Sequence, residues 1–191
     1  MTSTGPQGAG QSLGLLLKVA QYLDEAGYPY VVIGAVAAAL HGVVRATLDA
    51  DALVSLPIST LEKMAVRFSG AGYETELRRG DESDPIPAML VIRDVSNNRV
   101  DLLGGLRGLD PAVFTRAVAV RYFDSTLMLA SAEDFLAMKC FAGGPQDLVD
   151  ARQVMKAVGG SIDVDLLRRL ARRFGREAAD AVESLFPGEK S

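Results

Sequence analysis

Arg45–Ala46–Thr47–Leu48–Asp49–Ala50–Asp51–Ala52–Leu53–Val54 is the stretch on which the reading of this chain turns. The run Thr47–Ser55 predicts a β-strand that Pro57 ends. Asp49 and Asp51 are two residues apart, so on a strand their side chains share a face. Two carboxylates held side by side repel, and a divalent cation removes the conflict. Oxygen ligands alone select Mg²⁺ or Mn²⁺ over zinc. A third isolated acid stands in Arg99–Val100–Asp101–Leu102–Leu103, another predicted strand. If the two strands pair, Asp101 comes within about 5 Å of its neighbours. Three acids can hold two ions about 4 Å apart, which activate an attacking oxygen and stabilise a leaving phosphate. Asp49 and Asp51 then serve both metals, and Asp101 serves the attacking hydroxyl as ligand and base. The competing reading is that these acids cap loops or pair with Arg45 and Arg99.

Upstream, Tyr30–Ile33 reads as a short buried strand and Gly34 breaks it before an alanine-rich helix, Val36–His41. Glycine at that turn lets a phosphate approach the backbone beside a helix N-terminus. Ser12 is read as the cap of a first helix that Gly27 stops. Downstream, a helix from Ser59 or Thr60 to Gly70 precedes strands at Tyr73–Leu77, Ala88–Arg93 and Arg99–Leu103, the last two joined across Ser96–Asn98. Residues 122–129 suggest another hairpin. From Ser131 the periodicity becomes helical, with a break at Gly143–Gly144–Pro145 and further helices over 146–158, 163–174 and 176–185. An α+β fold follows: a disordered tail expected at 1–11, a core at 12–130 and a helical C-terminal subdomain at 131–191.

The 191 residues are 49% apolar and 23% charged, the composition of a folded chain. A net charge of −4 gives no global attraction to nucleic acid. One cysteine, Cys140, excludes an internal disulfide and fits a reducing cytoplasm; with a single histidine, His41, it also argues against zinc. The longest apolar stretch, Tyr28–Leu40, is too short to span a bilayer. His41 reads as a helix-end residue bonded to a carbonyl. Arg168, Arg169, Arg172, Arg173 and Arg176 read as a solvated amphipathic face, with a phosphate-tracking patch as the rival.

Together, Gly34–Ala35, Arg45-x-Thr47-x-Asp49-x-Asp51 and Val100–Asp101–Leu102–Leu103 resemble the polymerase-β-like nucleotidyltransferase superfamily. The likeness is to its bacterial branch related to the toxins of type IV toxin–antitoxin systems. Leu129–Lys139 resembles that branch's lysine-bearing helix, and Gln146–Asp147–Leu148–Val149–Asp150 its later Lys-Asp-x-x-Asp motif. The resemblance implies a nucleotidyltransferase fold, a mixed sheet flanked by helices. It implies Mg²⁺ or Mn²⁺, an NTP donor, and transfer of a nucleoside monophosphate to a hydroxyl of RNA such as tRNA, of a protein or of a small molecule. Asp49, Asp51, Asp101, Lys139 and Asp147 would be catalytic. Gly34, Ala35, Arg45, Thr47 and Lys139 would bind the nucleotide, Lys139 at the triphosphate, with Asp147 orienting it or helping to position the acceptor. A cognate antitoxin is suggested by kinship. Three departures are visible: Ala35 lacks a serine hydroxyl, Ala50 is small, and Gly143–Gly144–Pro145–Gln146 replaces basic residues. They leave a catalytically degenerate nucleotide- or partner-binding module as the alternative function, with a two-metal nuclease or phosphatase behind it.

Overall fold

The structure is a computed structural model that describes residues 11–43, 48–122 and 124–186, and of Leu40 only the backbone. Its centre is a mixed seven-stranded sheet. The strands are β1 (Tyr30–Ile33), β2 (Asp49–Val54), β3 (Glu74–Arg79), β4 (Ala88–Arg93), β5 (Arg99–Leu103), β6 (Val118–Tyr122) and β7 (Ser125–Leu129), in the order β3-β4-β5-β2-β1-β7-β6. β2 runs parallel to β5 and antiparallel to β1, while β4 is antiparallel to both β3 and β5.

By internal contacts the chain divides into two units. The first is Met1–Val36, Ala46–Arg107 and Ala119–Met128; the second is Ala37–Arg45, Gly108–Val118 and Leu129–Ser191. The second unit thus takes in two earlier segments besides the helical last third.

In the first unit, α1 (Ser12–Glu25) buries Leu15, Leu16, Val19, Ala20 and Leu23, one stripe at helical spacing, and packs on β2 and β5. α3 (Ile58–Gly70) buries Leu61, Met64 and Phe68 against β3 and β4. The β4–β5 reversal is tied by Asp94. Its Oδ1 accepts from the backbone N–H groups of Ser96 (2.9 Å) and Asn98 (3.0 Å), and Asn97 takes the left-handed conformation at φ 63°. Burial raises the Asp94 pKa, but these bonds together with one from the Asn98 amide outweigh it and hold the carboxyl below its usual value.

Ser12 does not cap α1 through its side chain; Gln11 holds the cap position. The Ser12 hydroxyl donates instead to the carbonyl of Leu48 (2.5 Å) and accepts from the N–H of Arg99 (3.0 Å). It therefore clips the starts of β2 and β5 together, one residue before Asp49 and two before Asp101.

In the second unit, α5 (Ala132–Ala142) packs on α6 (Pro145–Val158), α7 (Val164–Phe174) and α8 (Arg176–Glu183). Ser131 caps α5 by accepting from Asp134 N, as its sequence position predicts. Gly143 ends α5 in the left-handed conformation and Pro145 starts α6. The short helix α4 (Val113–Arg116) is too brief to leave a periodic signature. It delivers Arg116 to the buried Asp134 through two bonds of 2.7 Å. Among the described residues no helix is long and apolar enough to cross a membrane.

Replacing Ser12 by Ala removes both bonds of a side chain that is 2% exposed. Urea unfolding of Ser12→Ala should show a loss of about 1–3 kcal/mol, the range for a buried bonding group left without its partner.

Candidate active site

β2 buries Ala50 and Ala52 completely on one face, which places Asp49 and Asp51 together on the other, half-buried. The parallel register opposes Asp51 to Asp101 and Asp49 to Arg99. Paired residues point to the same side of a sheet. Three carboxylates and one guanidinium therefore share one face of two adjacent strands. Asp101 is buried, at 5% exposure.

Gly34 sits where β1 passes into α2 (Gly34–Leu40), with φ +65°. Ile33, the residue before it, is the register partner of Asp51. A Cβ on Gly34 would lie 2.2 Å from Asp51 Oδ2. The glycine read from sequence as room for a phosphate thus also makes room for the carboxylate itself. Ala35 follows with 4% exposure, in the first turn of α2.

The donor set fits a hard divalent cation in type and in register: all-oxygen ligands, on neighbouring strand positions. Asp101 is bonded within its own strand. Both Asp101 oxygens accept from Arg99, Oδ1 from Nε at 2.7 Å and Oδ2 from Nη2 at 2.6 Å. Among the described residues, no three His, Cys, Asp or Glu side chains are gathered to hold an ion as they stand. The pairing with Arg99 that competed with the metal reading is thus present for Asp101. The Arg99 pKa is raised by the bond to Asp101; burial opposes this, and the charges of Asp101 and Asp49 add to it.

Lys139 and Asp147 lie in the second unit. Lys139 Nζ donates to Asp147 Oδ1 at 2.7 Å and forms an ion pair with a second acid, Asp150, at 3.0 Å. Asp150 is fully buried and also accepts from the Gln146 amide at 2.9 Å. The sequence reading placed Asp150 in the motif but gave it no role. Its signal was the spacing of three from Asp147, which puts both acids on one side of α6. Arg45 and Thr47 lie outside the described residues.

Of the remaining residues, the His41 ring contacts the carbonyl of Ala130 through Nε2 (3.0 Å), a helix-end bond as read from sequence. Cys140 is buried, and burial pushes its thiol up to about 11 against the opposing charge of Arg152. Arg168 is forked onto Glu183, and Arg173 donates to the carbonyls of Gly108 and Leu109. Arg168 and Arg173 are therefore engaged within the fold, and Arg176 pairs with Asp180 on its own helix at 3.7 Å.

Gly34→Ala should destabilise the chain by about 1 kcal/mol or more in thermal unfolding, since it adds a left-handed strain and displaces the Asp51 carboxylate. Lys139→Met leaves a fully buried Asp150 without its cation. It should lower stability by about 3–5 kcal/mol, and unchanged unfolding would show that the pair carries little of the fold.

No protein-family model matches the sequence, and no curated protein matches it significantly. Solved structures do match. The antibiotic-resistance factor ANT(2'')-Ia superposes with a TM-score of 0.59 at 12% identity, covering 92% of this chain and 97% of that one. An antigenic nucleotidyltransferase-like protein from Paracoccidioides brasiliensis gives 0.55 at 15% identity, covering 95% and 94%. The lincosamide antibiotic adenylyltransferase LnuA, bound to lincomycin, gives 0.53 at 14% identity, covering 80% and 99%. At these identities the likeness is one of fold, and the chain has the nucleotidyltransferase fold: a mixed sheet with flanking helices, with the Asp49–Asp51 strand beside the Asp101 strand.

Proposed function

We propose that this protein is a divalent-cation-dependent nucleotidyltransferase that moves a nucleoside monophosphate from an NTP to an acceptor hydroxyl. The observation that carries the reading is the parallel register that opposes Asp51 to Asp101 with Asp49 on the same face. A fold built to bury apolar residues gains nothing from three carboxylates there, so the arrangement is explained by a ligand that needs them.

Asp49 and Asp51 would hold Mg²⁺ or Mn²⁺, which when bound supplies positive charge to the phosphates and to the oxygen that attacks. Asp101, buried next to Asp51, takes the proton from the acceptor hydroxyl. The acceptor oxygen forms a bond to the α-phosphorus, the bond from that phosphorus to the bridging oxygen breaks, and pyrophosphate leaves with the electron pair. Gly34 keeps the Asp51 carboxylate close against the β1–α2 turn. The backbone at Gly34 and Ala35, with Arg45 and Thr47, is assigned to the nucleotide on the strength of the sequence motif. The phosphate-binding role of Lys139, with Asp147 beside it, is a proposal about the second unit by itself. An ammonium already shared by two carboxylates meets a phosphate only by releasing one of them.

For the acceptor, a small hydroxylated molecule is favoured over RNA. One similar structure is named a lincosamide antibiotic adenylyltransferase and another an antibiotic-resistance factor, and both match over nearly their whole length. The internal engagement of Arg168 and Arg173 also weakens the case for a phosphate-tracking patch. A toxin acting on tRNA, with a cognate antitoxin, is the outcome that sequence kinship would favour instead.

One observation favours the second reading, a degenerate binding module: Asp101 is tied to Arg99 rather than turned to its fellow acids. Incubation with each α-labelled NTP, Mg²⁺, an aminoglycoside and lincosamide panel, and total RNA separates the cases. Label on a small molecule supports the proposal, label on RNA supports the toxin, and MgATP binding without pyrophosphate release supports the module. Asp49→Asn and Asp51→Asn should each lower transfer by about 10³-fold or more while circular dichroism stays unchanged; retained transfer in either would refute the assignment.

A further inference from the structure

The face that carries the three acids also carries a built-in cation. Arg99 lies opposite Asp49 in the register, two residues before Asp101 on the same strand. Its guanidinium forks onto both oxygens of Asp101, the strongest geometry for such a pair. Asp101 is 5% exposed, and a buried carboxylate is accommodated by a bonded partner of opposite charge. The Arg99 backbone is pinned by the Ser12 hydroxyl, so the side chain alone is free to change its partner. That side chain is 30% exposed, which leaves it a way toward solvent.

We propose that Arg99 is the resident counter-cation of the carboxylate face: it holds Asp101 while no divalent ion is bound and yields it when one arrives. The proposal rests on the nucleotidyltransferase reading for the identity of the ion. Its physical basis is competition. A dication and a guanidinium on adjacent strand positions repel, and each draws on the same Asp101 carboxylate charge, so a bound ion weakens the fork. An ion arriving beside Asp51, the register partner of Asp101, sets its charge against that of Arg99 and loosens the fork. Asp101 is therefore withheld from acting as base or ligand until the site is loaded. Arg99 acts through Asp101 and is a positioning residue.

The test is a Mn²⁺ titration of the full chain, reading free Mn²⁺ by electron paramagnetic resonance, on wild type, Arg99→Gln and Arg99→Lys. Loss of the competing charge should tighten Mn²⁺ binding by roughly tenfold in Arg99→Gln. The same variant should melt at a lower temperature than wild type without metal, and recover more than wild type does when Mn²⁺ is added. Arg99→Lys keeps the charge but loses the fork and should fall between the two. Unchanged or weaker binding by a folded Arg99→Gln overturns the proposal. If Arg99→Gln does not fold, Arg99→Lys decides, and a Mn²⁺ affinity equal to wild type overturns it. Wild type that transfers nucleotide with an affinity indifferent to Arg99 sinks this proposal and leaves the functional reading standing. Arg99-dependent Mn²⁺ affinity without any transfer does the reverse, and absence of Mn²⁺ binding in all three overturns both.

Discussion

Like charges brought together on one sheet face set the terms for the first unit. Asp49, Asp51 and Asp101 cannot scatter, because the strand period of two and the β2–β5 register place them on the same side. A slip of one residue would turn Ala50 and Ala52 out of the core and drive the acids into it. The surroundings are built around this constraint. Gly34 gives up a side chain where Asp51 needs space. Ser12 ties the two strand starts so that the register holds at its acidic end. Arg99 supplies the countercharge for the most buried of the three.

The second unit solves the same problem differently. Asp150 is fully buried, and Lys139 lies between it and Asp147. Asp134 is nearly as buried, and Arg116 answers it with two parallel bonds while Ser131 adds a third. In each case a buried carboxylate comes with a cation delivered from a neighbouring helix, as burial of charge requires. These pairs bear on stability first. Whether Lys139 also meets a nucleotide depends on its being able to exchange a carboxylate for a phosphate.

Much of this was legible in the sequence because the signals were periodic or local. Asp49 and Asp51 showed their common face through a spacing of two, and β4 and β5 were bounded by the turn residues around Asn97. Ser131 and Gly143 marked the ends of α5 through ordinary capping chemistry. What was not legible was the choice of partner across the fold. Ser12 looks like a helix cap, yet its hydroxyl bridges two strands that are 36 and 87 residues away. Arg99 was recognised as a rival partner for the acids, but nothing in its spacing told whether it would hold Asp101 or point to solvent. Asp150 gave a helical spacing with Asp147, whereas its burial beneath Lys139 is a tertiary fact. Arg45 and Thr47 lie outside the described residues, so the part of the motif between Gly34 and Asp49 rests on sequence.

The likeness to solved structures is one of fold, and function rests on the site grafted on it. The central physical claim is that the Asp49–Asp51–Asp101 face is built for a divalent cation. Anomalous diffraction from crystals soaked in Mn²⁺ and a non-hydrolysable NTP tests it most directly. The expected result is a Mn²⁺ peak at the Asp49 and Asp51 carboxylates with Asp101 turned away from Arg99. An empty face at saturating Mn²⁺, with the Arg99–Asp101 fork intact, would contradict it.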